Sequence, residues 1–96
     1  MNQRLLRLRS IADSSHADLM NVSTQLREAR DEHAVIDRHR ADLKRKRFNL
    51  AAPDAARLDE LKERIAFLDD KHERLRADHT EKRKLLDACE REIARG

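Results

Sequence analysis

The sequence predicts an all-α fold, an antiparallel two-helix coiled-coil hairpin that dimerises into a four-helix bundle. Three observations carry that expectation. Charged residues make up 43% of the 96 and apolar ones 39%, with one Gly, one Pro and two Phe, a composition displaced from the globular average toward long helices. Of the apolar residues, 13 are Ala and 13 Leu against six Ile or Val, which favours helix over sheet. The leucines also recur with heptad spacing on both sides of the proline, a regularity that argues against disorder. A chain this short, poor in aromatics, has no means of burying a wide core.

The first heptad tract runs Leu5, Leu8, Ala12, Ser15, Leu19, Val22, Leu26, Ala29, His33, Ile36, Arg40, Leu43, Arg47 and Leu50, with ten of 14 positions apolar. Alternating steps of three and four place these side chains on one stripe of a helix, predicted over residues 3–48. Ser15 with Asp18 three residues on resembles a weak capping box, which leaves a separate short helix over 1–13 as an alternative. The only proline, Pro53, falls in Asn49-Leu-Ala-Ala-Pro-Asp54 and has no amide hydrogen to continue a helix. Lys44-Arg-Lys-Arg47 before it suits the negative end of one helix, and Asp54 after it the positive end of the next. The corner is therefore expected at 49–53. A second tract, Leu58, Leu61, Ile65, Leu68, His72, Leu75, His79, Lys82, Leu86, Cys89 and Ile93, has eight of 11 positions apolar and predicts a helix over 54–94. The two tracts do not share one frame across the corner, so a hairpin is preferred to a kinked rod of about 140 Å.

A short connection makes the helices antiparallel neighbours. The tightest register the loop allows pairs residues whose numbers add to about 101, setting Leu43 against Leu58, Leu26 against Leu75, Ser15 against Leu86 and Leu8 against Ile93. His33, Arg40, Arg47, His72, His79 and Lys82 interrupt the stripe, either as snorkelling side chains or as places where a second molecule docks. Leu6, Ile11, Met20, Val35, Phe48, Phe67 and Leu85 fall off it. Val35 and Phe67, expected at similar heights, together with Phe48, Met20 and Leu85 form the candidate partner interface, and they point to self-association as a homodimer.

Candidate chemistry is sparse. Gly96 is the only glycine, so there is no phosphate-cradling loop, and neither a Cys-x-x-Cys nor a His-Glu-x-x-His spacing occurs. His72 and His79 stand seven apart, about 10 Å along a helix, too far to share one ion. Ser14 or Ser15 beside His16 comes with no implied pocket or oxyanion hole. The expectation is a chain without cofactor, metal or catalytic residues.

Net charge is only +3, with signs interleaved along most of the chain, as suits a solvated helical surface. Arg38–Arg47 is the exception, with six cations and one anion. Arg38, Arg40, Lys44, Arg45, Lys46 and Arg47 are the candidate phosphate contacts, and nucleic acid is the second partner class after protein. Neutralisation by Asp54, Asp59, Glu60 and Glu63 on the returning helix competes with that reading. Phe48 is the lone aromatic there, leaving no platform for stacking unpaired bases. A lone Cys89 fits a reducing, cytoplasmic setting. The basic start lacks the apolar segment of a secretory signal, and no apolar run is long enough for a membrane span. Antiparallel hairpins serve as tRNA-gripping arms, secretion-system subunits and polymerase-channel probes. The Ala51-Ala-Pro-Asp-Ala55 corner, with one acid, matches none of these residue by residue, and a shared shape carries no function with it. The functional expectation is a non-enzymatic protein–protein interaction module, an adaptor, assembly subunit or inhibitor.

Overall fold

A computed structural model describes residues 2–96. Two helices, α1 (Gln3–Arg45) and α2 (Ala52–Arg95), form an antiparallel hairpin with no strand among the described residues. Asn2 caps α1, its side-chain oxygen accepting a hydrogen bond from the Leu5 amide at 3.2 Å, which satisfies one of the donors a helix start leaves open. The helix runs unbroken through Ser15, so residues 3–13 belong to α1 and are not a separate arm.

α1 stops at Arg45, three residues before the expected end at 48. Arg47 adopts a left-handed backbone with φ 63°. The Phe48 amide donates to the Leu43 carbonyl at 2.8 Å, and the Arg47 amide to that of Lys44 at 3.1 Å. These are the two bonds of a Schellman motif, which ends a helix by spending its last carbonyls on the reversing chain. Glycine is the usual residue at that position, and an arginine there gives the sequence reader no cue. α2 begins two residues earlier than the expected 54, with the Ala51 carbonyl accepting from Asp54 and Ala55 at 3.0 Å each. Pro53 thus sits in the first turn, where its missing amide hydrogen leaves no bond unmade.

The chain divides into a terminal unit (residues 2–23 with Lys71–Gly96) and a corner unit (Thr24–Asp70). In the terminal unit the two helices run antiparallel, with Arg4 3.6 Å from Glu92, Arg9 3.8 Å from Glu90 and Ser15 2.6 Å from His79. In the corner unit Arg30 meets Asp69 at 2.6 Å and Arg57 meets Glu32. Among the described residues, all ten buried ones belong to the predicted stripes: Ala12, Ser15, Val22, Leu26, Ala29, Leu58, Leu61, Leu68, Leu86 and Cys89.

The register, however, differs from the expected one by a full heptad. Ser15 faces His79 rather than Leu86, so level residues have numbers adding to about 94. In the terminal unit this sets Leu8 level with Leu86 and Val22 with His72. In the corner unit it sets Leu26 level with Leu68, and Ile36 with Leu58. The ion pairs flank the stripe, Arg9–Glu90 and Arg30–Asp69 on the heptad's e edge, Arg4–Glu92 and Glu32–Arg57 on its g edge. The physical reason is sorting. The expected register buries the Ser15 hydroxyl against Leu86 and carries Arg40 into the stripe, whereas the observed one pairs polar with polar and leaves Arg40 exposed. It also carries Ile93 past the end of the α1 stripe, so that Ile93 is exposed. Val35 and Phe67 consequently stand about 12 Å apart along the helix axes, not at one height.

Candidate functional site

Off-stripe apolar residues emerge where the heptad frame puts them. Leu6, Ile11, Met20, Val35, Phe48, Phe67 and Leu85 are all exposed, with Phe67 at 66% and Phe48 at 64%. In the terminal unit, Ile11 and Leu85 both occupy g positions, one heptad in from the Arg4–Glu92 bridge. In the corner unit, Val35 and Phe67 each occupy the outward c position beside the g edge.

The g edge of the corner unit carries a groove whose floor is Ala29 and Leu61. Its α1 wall is acidic, from Glu28 and Glu32, and its α2 wall is basic, from Arg57 and Arg64. Arg57 bonds both Glu32 and, at 3.2 Å, Glu60. The hydrogen bond from Arg57 holds the Glu32 carboxyl below its ordinary value, and the two carboxylates push the Arg57 guanidinium further into its protonated form. The cluster is exposed, so its value lies in fixing register rather than in bulk stability.

The basic run near the corner is unevenly occupied. Arg40 pairs with Asp37 and Arg45 with Asp42, while Arg38 donates to its own helix at the Ala34 carbonyl, 3.3 Å away. Lys44, Lys46 and Arg47 make no ion pair with any described residue. The four acids at the start of α2 do not neutralise the run: Glu60 pairs with Arg57, and Asp54, Asp59 and Glu63 pair with none of its cations.

Ser15 is 3% exposed, which removes it as a nucleophile open to substrate. Its hydroxyl oxygen lies 2.9 Å from the Ala12 carbonyl and 2.6 Å from Nδ1 of His79, within hydrogen-bond reach of both. The His16 ring stands 5.5 Å from that of His79, tilted by 45°. This is a polar layer inside the stripe, with its donors and acceptors matched. Among the described residues no three His, Cys, Asp or Glu side chains gather as metal ligands, and no helix is long and apolar enough to cross a membrane. The sequence matches no family model, and neither a curated protein nor a solved structure shows significant similarity to it.

Proposed function

We propose that the chain is a non-enzymatic interaction module, a helical hairpin that self-associates and presents its faces to another protein. The observation that carries this reading is the set of large apolar side chains held outside the stripe, Phe67 and Val35 foremost. A rigid helical scaffold bearing such side chains on its outer positions gains most by covering them with a partner. The groove of the corner unit supports a second copy as one such partner. Its acidic and basic walls lie on different helices. A twofold axis parallel to the helices therefore sets each acidic wall over the copy's basic one. The chemistry lining that groove is charged and open along its length, which suits docking rather than water-excluded catalysis.

Sedimentation of the full chain across the micromolar range tests the reading. Wild type is expected to sediment as a dimer. Phe67→Glu and Val35→Glu are expected to sediment as monomers that keep their helical circular dichroism. A wild-type monomer at high micromolar concentration overturns self-association, and retained dimerisation in both variants removes these residues from the interface.

A further inference from the structure

We infer that the hairpin corner is a binding site for the phosphate backbone of a nucleic-acid duplex, formed by Arg38, Lys44, Lys46 and Arg47. Three observations on the corner unit converge on it. First, residues 38–54 hold six cations and two anions, a net +4 within one short stretch of the chain. Second, the ion pairs divide the run. Arg40 and Arg45 are tied to aspartates on their own helix, whereas Lys44, Lys46 and Arg47 have no ionic partner among the described residues and Arg38 contacts only a backbone carbonyl. Third, the acids of α2 that stand nearest in sequence leave these four uncompensated. The left-handed Arg47 ends α1 there, so the cations of residues 44–47 sit on the last turn and on the reversing chain, where neighbouring side chains crowd them least.

Unpaired cations packed this closely repel one another, and a polymer of regularly spaced phosphates relieves the repulsion while releasing condensed counterions. The choice of a duplex follows from what the corner lacks. Phe48 is its single exposed aromatic, too little to stack a run of unpaired bases or to anchor the corner in a lipid interface. A duplex needs neither, because its phosphates are read by charge alone. The four free cations set the expected salt dependence. About four neutralised phosphates give a log–log slope of roughly −3.6, or about a 150-fold loss of affinity between 50 and 200 mM salt.

Fluorescence anisotropy with a labelled 20-base-pair DNA duplex and the full chain reads this directly. Wild type is expected to bind at low salt with a slope between about −3 and −4. K44E/K46E/R47E is expected to lose binding by at least about 100-fold, with unchanged helicity and an unchanged sedimentation profile. R40Q/R45Q, which removes the paired arginines, is expected to stay within about threefold of wild type. No binding at low salt, a slope near zero, or equal losses in both variants overturns the proposal. So does displacement of the duplex by polyglutamate, or by vesicles containing phosphatidylserine, at matched charge concentration. Phe67→Glu and Val35→Glu leave the four cations in place, and K44E/K46E/R47E leaves Phe67 and Val35 in place, so either reading can fail while the other stands.

Discussion

The Ser15–His79 pair offers the sharpest test of the fold, because the two candidate registers assign Ser15 different neighbours. In the observed register the Ser15 hydroxyl lies 2.6 Å from the His79 ring. Leu86 is seven residues further along α2, about 10 Å away. A side-chain hydrogen bond contributes about 1 kcal/mol net, whereas residues separated by about 7–10 Å with no shared partner are additive within about 0.3–0.5 kcal/mol. A double-mutant cycle of Ser15→Ala and His79→Ala should therefore give a coupling energy near 1 kcal/mol. The cycle of Ser15→Ala with Leu86→Ala should close to within about 0.5 kcal/mol. The single variants alone are poor witnesses. Alanine raises helix propensity by about 0.5 kcal/mol at each site and masks part of the loss, but that gain cancels in the coupling. Urea unfolding followed at 222 nm, at low protein concentration so that self-association does not enter, supplies the four stabilities of each cycle. Coupling between Ser15 and Leu86 with none between Ser15 and His79 refutes the register and, with it, the neighbours assigned throughout the stripe.

Leu61 is 1% exposed, and Leu61→Ala removes three buried carbons, for a loss of about 2.5 kcal/mol. Leu6→Ala, at an exposed position, is expected to cost under about 0.5 kcal/mol, and equal losses in urea melts would contradict the assigned face. Arg47→Gly places at φ 63° the residue that tolerates it best. Thermal stability should rise by up to about 1 kcal/mol, and a decrease would show that the Schellman turn is not the native stop. Glu32 has its folded carboxyl below the ordinary 4.5 because Arg57 hydrogen-bonds it. Its contribution is therefore full above that value and fades as pH falls through the depressed one. Glu32→Gln should narrow the loss of melting temperature on acidification below pH 4.5, and an unchanged acid limb would show that the ion pair does not persist in solution.

The corner illustrates how one stretch of sequence can carry two meanings. Cations in the last turn of α1 favour the helix end electrostatically, yet that role needs only one or two of them, and Arg40 and Arg45 are already engaged by Asp37 and Asp42. Elsewhere ion pairs form within a turn, as Arg76 does with Glu73, or across the helix pair, as Arg30 does with Asp69. At the corner Glu60 pairs with Arg57 and the other early carboxylates of α2 pair with none of the run's cations, so the surplus becomes a surface property.

What the sequence determined by itself was the stripe. Every buried residue could be read from steps of three and four, and so could the exposure of Phe67, Val35 and Leu85, because a side chain's angular position on a helix depends only on its number. The reversal near Pro53 was equally legible from the loss of a common frame and the chemistry of the helix ends. Register was not, because a heptad repeat looks the same after a shift of seven. Contacts across the pair, such as that of Ser15 with His79, distinguish one alignment from the next, and those energies belong to pairs rather than to residues. The end of α1 escaped for a related reason: a left-handed arginine is stabilised by bonds from the chain that follows it, not by its own preference. The stripe is a property of one helix and is written locally. Alignment and the uncompensated cations of the corner are properties of two helices brought together, and tertiary structure alone decides them.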